Sequence, residues 1–186
     1  MDPKKTALLI VDMQKEAISD LVKTGVTVIS AVQKALQTAR KRGVSVVYLV
    51  REHRASGIDV EKFRETKFQQ HPFLVVGTTG AEVIEELKPL SNELIVSKQR
   101  FSGFFQSDLL MLLTRLGIES VVICGIQTPN CIRATAVDAL AYDYAVTLLD
   151  DAIAAQTPEV HKANLFDMAN MGATIQSVDP WIDTLK

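Results

Sequence analysis

The segment Gly117-Ile-Glu-Ser-Val-Val-Ile-Cys-Gly-Ile-Gln-Thr-Pro-Asn-Cys-Ile-Arg-Ala-Thr-Ala-Val-Asp-Ala-Leu runs an apolar strand into a tight turn and then into a helix that carries Cys131 at its start. A helix start offers partial positive charge and unpaired backbone N–H groups. A thiol placed there is expected to lose its proton below the usual value of about 8.5 and to lie beside donors that hold an oxyanion. The other cysteine, Cys124, falls inside the apolar run Val121-Val-Ile-Cys and reads as a small core residue. The spacing of the two matches neither a CxxC redox pair nor a zinc knuckle, which favours a nucleophile over a disulfide or a metal clip.

A nucleophile has to be held by something, and the rest of the chain shows what. Residues 6–11, 44–50, 94–96, 120–124 and 145–148 are short apolar runs without polar alternation, the pattern of strands buried on both faces. Helix candidates lie between them at about 18–42, ending at Gly43; about 80–88, before Pro89; 107–116, with Ser107 as N-cap and Gly117 just past the end; 129–142; and 158–171, opened by Thr157-Pro158 and closed by Gly172. Alternation of this kind predicts an α/β fold, a three-layer doubly wound parallel sheet of about six strands with helices on both faces. The whole span 1–186 reads as one domain. Residues 51–79 break the rhythm, being long, polar and aromatic, and such a segment usually serves as a lid or binding loop.

Ligands of open α/β sheets bind outside the carboxyl ends of the strands. Here the first strand ends at Asp12-Met-Gln14, the second at Arg51-Glu-His53, the third at Ser97-Lys98 and the fourth at Gln127-Thr-Pro-Asn-Cys131. A carboxylate, a lysine and a cysteine therefore converge on one edge. Composition excludes other classes: 20 basic against 22 acidic residues give a net charge of −2 without a basic cluster, which argues against nucleic-acid binding. No apolar run approaches the roughly 18 residues of a membrane span, and the first residues lack a signal-peptide pattern. A cytoplasmic, soluble protein is expected.

Three motifs, Leu9-Ile-Val-Asp-Met-Gln, Ser97-Lys98 followed by Phe101-Ser-Gly-Phe, and Gly125-Ile-Gln-Thr-Pro-Asn-Cys-Ile-Arg-Ala, occur in order, each at a strand end. In these the chain resembles the isochorismatase-like cysteine hydrolases, the superfamily that includes nicotinamidases and other C–N hydrolases. The resemblance implies a catalytic triad of Asp12, Lys98 and Cys131, a cis peptide between Ile126 and Gln127, and an oxyanion hole formed by the N–H groups of Gln127 and Cys131. Asp12 would take the thiol proton and pass it to the leaving nitrogen, and Lys98 would favour the thiolate. Gln14, Arg51, Phe104 and Thr128 are candidates for substrate contact. For Phe104 core packing is the alternative, and for Gln14 a support for Asp12 or the loop, or a plain surface position.

Nicotinamidase members of that superfamily bind a metal through an Asp-x-His motif at the end of the second strand and a later histidine. This chain has Arg51-Glu-His53 there and His71 later. A guanidinium has no lone pair to offer a cation. No metal and no cofactor are therefore expected, nicotinamide is disfavoured, and Arg51 is left to hold a polar or anionic substrate group. The expected function is a cysteine-dependent hydrolase cleaving a C–N bond of a small amide or lactam through a thioester. The alternatives are a metal-dependent nicotinamidase, an isochorismatase-type hydrolase, against which Cys131 argues, and a catalytically silent member. Phe63, Phe68 and Phe73 in the loop suggest a homodimer or higher homo-oligomer with that segment at the interface, unless the rings fold onto their own domain.

Overall fold

Strand β1 (Thr6–Val11) is buried along its whole length, which an apolar run achieves at the centre of a sheet covered on both faces. The computed structural model describes residues 1–22 and 28–185 and places β1 there. With β2 (Ser45–Arg51), β3 (Leu94–Lys98), β4 (Ser120–Ile126), β5 (Ala145–Ala154) and β6 (Thr174–Gln176), it forms a six-stranded sheet of order β3-β2-β1-β4-β5-β6. Every pairing is parallel. The chain winds outward from β1 through β2 to β3, then crosses back to β4. The order thus reverses between β1 and β4, the kind of crevice where α/β sheets bind ligands.

Alternate side chains of the strands feed two separate cores. Leu8, Ile10 and Tyr48 pack with Val32 and Leu36 of α2 (Ile29–Arg42) and Trp181 of α7 (Val178–Thr184). Ala7, Leu9 and Leu49 face Leu109 and Leu113 of α4 (Leu109–Arg115), Ala136 of α5 (Arg133–Ala141) and Met168 of α6 (Pro158–Asn170). Each buried Leu-sized side chain contributes about 1.5–3 kcal/mol relative to an exposed one, so both faces hold the central strands rigid. Helix ends follow local chemistry: the Thr157 hydroxyl accepts the Val160 N–H at 3.3 Å to open α6. Among the described residues no helix is long and apolar enough to cross a membrane.

Several expected boundaries move. The helix expected over 18–42 is two helices, α1 (Lys15–Val22) and α2; the part of it at 23–27 lies outside the described residues. The stretch expected to be a helix at 80–88 consists of two short 3₁₀ turns, Thr79–Ala81 and Glu85–Leu87. Its backbone is recruited elsewhere, since Lys15 N–H donates to the Glu82 carbonyl and Ile84 N–H to the Met13 carbonyl. Strand β5 runs on through Asp150 and Asp151 with a register shift opposite β4, which an apolar-run reading cannot see. The loop after β2 contains a short helix, α3 (Glu65–Gln70). There Phe68 is buried and Phe73 packs edge-on against it at 5.3 Å, both rings closing on His53. Phe68 and Phe73 thus pack onto their own domain, while Phe63 is 72% exposed.

Candidate active site

Strand β1 ends in a left-handed residue, Asp12, with φ of 51° and its N–H donating to the Leu49 carbonyl at 2.9 Å. Aspartate tolerates that region better than most residues, and a non-glycine held there is a mark of functional sites. Lys98, the last residue of β3, pairs in register with Arg51 at the end of β2 and is fully buried. A buried ammonium has to be compensated. Its Nζ lies 2.9 Å from Asp12 Oδ1, donates to Asp12 Oδ2 at 3.0 Å, to Cys131 Sγ at 3.3 Å and to the Arg100 carbonyl at 3.3 Å. Asp12 Oδ1 lies at ion-pair distance but receives no aligned hydrogen bond, which leaves a lone pair for another proton.

Cys131 reaches this cluster because β4 presses against β1 just before it. Gly125 has φ of 110°, and a Cβ there would stand 2.1 Å from the Val11 carbonyl oxygen, so only glycine allows the approach. The peptide between Ile126 and Gln127 is cis. Residues Thr128–Ile132 then form a π-helical turn that leads into α5, a geometry found mostly at functional positions. Cys131 and Asp12 open onto a cavity of about 580 Å³, which Gln127, Arg51, Arg64 and Phe101 also line.

The electrostatics reverse one expectation. The Cys131 thiol is pushed up to about 11, by burial first and then by the Asp12 carboxylate, while Lys98 and Arg51 pull the other way. Desolvation outweighs the helix start and both cations. The resting thiol is therefore protonated and depends on a base to become a nucleophile. Cys124 is pushed up by burial alone and stands in the core.

Not every candidate side chain reaches the cavity. Arg51 does: it donates to Glu61 Oε1 at 2.7 Å, comes within 3.9 Å of Cys131 Sγ and lies 5.2 Å from the Phe101 ring. Gln14 does not, and its assignment to substrate is corrected. Its Nε2 donates to the Arg51 and Ala81 carbonyls at 2.8 and 2.7 Å, and its Oε1 accepts the Arg51 N–H at 2.8 Å, tying the turn after β1 to the end of β2. Phe104 is likewise corrected to a core residue, packed on Tyr142 and Tyr144 at 5.5 and 6.1 Å, while Phe101 takes the cavity position. Thr128 turns towards α6, where its buried hydroxyl meets His161 Nδ1 at 2.9 Å. Sequence reasoning missed Glu61, Arg64 and Lys67, whose loop shows no periodicity to orient them.

The metal-site residues of nicotinamidase-type members have no fitting equivalent. His53 is fully buried between Phe68 and Phe73, neither ring nitrogen makes a hydrogen bond, and burial followed by the Arg51 charge lowers its pKa. His71 is exposed. Among the described residues no three His, Cys, Asp or Glu side chains are grouped to hold an ion.

A doubly wound parallel sheet with a buried carboxylate, ammonium and thiol at its switch point defines the class of this protein. More particularly, the chain belongs to the isochorismatase family, whose domain model matches residues 6–180. It is 40% identical over 190 residues to an Arabidopsis thaliana protein named a probable inactive nicotinamidase, covering 98% of this chain and 97% of that one. The crystal structure of an isochorismatase family protein from Desulfovibrio vulgaris matches with a TM-score of 0.91 at 39% identity, covering 97% of each chain. That of a cysteine hydrolase from Pseudomonas syringae pv. phaseolicola matches with a TM-score of 0.90 at 29% identity, covering 98% of this chain and 93% of the other.

Proposed function

We propose that this chain is an amidohydrolase that cleaves the C–N bond of a small amide or lactam through a thioester on Cys131. One observation carries the reading: the buried Lys98 ammonium bridges Asp12 Oδ2 at 3.0 Å and Cys131 Sγ at 3.3 Å, beside a cavity sized for a small molecule. Asp12 takes the thiol proton as Cys131 Sγ attacks the carbonyl carbon, and the N–H groups of Gln127 and Cys131 receive the oxyanion. The C–N bond then breaks, and the proton on Asp12 goes to the leaving nitrogen. Water enters, loses a proton to Asp12 and attacks the thioester; the acid leaves and the thiolate recovers its proton. Lys98 stays charged throughout and offsets whichever of the two neighbours carries the negative charge.

The name of the Pseudomonas structure, a cysteine hydrolase, supports this chemistry. The name of the Arabidopsis relative favours a second reading, a catalytically silent protein. Its name concerns nicotinamide, and in this chain Arg51 and the sealed His53 weigh against that substrate rather than against amides in general. The test is ammonia release from a panel of small amides, with mass spectrometry of the quenched enzyme. An acyl adduct on Cys131 together with ammonia supports the hydrolase. Neither from any amide, with Cys131 intact, favours the silent protein.

A further inference from the structure

Among the described residues none of helix α6 lines the cavity, yet α6 grips both ends of the turn that presents Cys131. Thr128, the first residue of that turn, is fully buried, and its hydroxyl meets His161 Nδ1 at 2.9 Å. Arg133, the residue just after the turn, donates from Nη1 to Asn164 Oδ1 and to Asp167 Oδ2, each at 2.9 Å. His161, Asn164 and Asp167 follow one another at intervals of three and so lie on one side of the helix. The two anchors are unequal. The Arg133–Asp167 pair is partly exposed and therefore weak. The Thr128 hydroxyl is sealed from water, and a buried hydroxyl without a partner is costly, so this bond holds its geometry.

Burial favours the neutral His161 ring, against the pull of the Asp150 carboxylate and backbone carbonyl on β5. A neutral imidazole has one donor and one acceptor. With the Asp150 carbonyl taking the donor, Nδ1 is left to accept the Thr128 O–H, and one ring joins β5, α6 and the turn. The turn's own backbone gives it little support, because the Asn130 and Ile132 N–H groups converge on a single acceptor, the Gln127 carbonyl, at 3.0 and 3.3 Å. Whatever fixes Thr128 also fixes the peptide that joins it to Gln127. Oxyanion donors stabilise a transition state only when they are aimed beforehand.

We propose that His161 is a positioning residue for amide hydrolysis: through the Thr128 hydroxyl it holds the turn so that the Gln127 and Cys131 N–H groups converge on the oxyanion. Its effect on rate rests on the amide-hydrolysis reading, whereas its effect on the turn can be read without turnover. His161 touches neither Cys131 nor the cavity, so it acts only by way of Thr128.

The test is a double-mutant cycle of Thr128→Val and His161→Leu, read by ammonia release from acetamide, propionamide, malonamide and nicotinamide and by amide hydrogen exchange of the free chain. Each single variant is expected to lower kcat by about 10- to 100-fold on any amide the wild type hydrolyses, with KM within about threefold, since misaimed donors weaken the transition state and not the substrate complex. The double variant should be no worse than either single one, as for two residues that act through one bond. Exchange of the Asn130 and Ile132 N–H groups should quicken about 10-fold, with β1 and β4 unchanged. His161→Asn, whose Oδ1 falls near the place of Nδ1, and Thr128→Ser should recover much of both readouts. If His161→Leu does not fold, Thr128→Val, close to isosteric, carries the comparison with Thr128→Ser. Unchanged exchange in the turn, a loss in KM alone, or losses that add in the double variant overturn the inference. So does faster exchange throughout the sheet, which would make His161 a general support of the fold. Local loosening of the turn without turnover by the wild-type chain would sink amide hydrolysis and leave the link between His161 and the turn standing.

Discussion

Lys98 and Asp12, 86 residues apart in sequence, form a buried ion pair in which one ammonium touches both carboxylate oxygens, at 2.9 and 3.0 Å. Removing one partner of such a pair leaves an uncompensated buried charge, a loss of about 3–5 kcal/mol, whereas removing both is far milder. Lys98→Met is therefore expected to destabilise the chain by that amount in urea unfolding. Asp12→Asn combined with Lys98→Met should regain most of the stability and none of the activity. A Lys98→Met chain as stable as wild type would contradict the buried pair.

The two cysteines separate chemistry from packing. Cys131→Ala should abolish ammonia release, since no other thiol reaches Lys98 and Asp12. Cys124, packed in the core with its sulfur donating weakly to the Leu9 carbonyl at 3.7 Å, should tolerate alanine with most activity retained and about 1–2 kcal/mol of stability lost. Exchange of these two outcomes would move the nucleophile to Cys124.

Burial and the Asp12 charge place the Cys131 thiol near 11, above the ordinary value. Alkylation of the free enzyme by iodoacetamide should thus be slow at neutral pH and rise towards that value. Because Asp12 raises the thiol, Asp12→Asn should shift the labelling profile to lower pH while stopping turnover. The folded value also lies above the unfolded one, so the contribution to stability is complete below about pH 8.5 and is lost as pH rises through the folded value. A labelling midpoint near 7 in the wild-type chain would show that the cations, not burial, dominate.

Much of this site was legible because strand ends are legible. Continuous apolar runs at β1, β2 and β4 located the sheet centre, and the polar residues just beyond them, Asp12, Arg51 and Cys131, had to emerge at its carboxyl edge. What could not be read was direction within irregular backbone. Gln14 and Thr128 lie beside functional residues in sequence yet turn away, one onto backbone carbonyls and the other onto His161. Phe101 and Phe104 exchange cavity and core for the same reason: no repeating period runs through the bends that follow β3. The thiol's upward shift was hidden too, because a helix start is visible in sequence while the depth of burial is a property of the assembled fold.

Activity without a metal is the outcome expected from Arg51 and His53 together. A cation paired with Glu61 occupies the end of β2, and the histidine two residues on is closed in by two phenyl rings. Dialysis against EDTA should leave activity and melting temperature unchanged, with no stoichiometric zinc by elemental analysis. About one metal per chain, lost together with activity, would overturn this.

His53 is also expected to weaken the fold towards acid. Its ring nitrogens lack hydrogen-bond partners, and burial first, then Arg51, lower its pKa, with Asp59 at 3.7 Å only partly opposing them. A histidine with a folded value below the unfolded one, about 6.5, favours the folded state fully above that pH. As pH falls below it, the unfolded chain takes up a proton that the buried ring does not, and stability drops. The melting temperature should accordingly fall between about pH 7 and about pH 5. His161, also lowered by burial, adds to the same trend. In His53→Phe, which replaces the ring with one that cannot titrate, the fall should be shallower than in wild type. Identical pH profiles for the two chains would show that the His53 ring is already accessible to protons in the folded state.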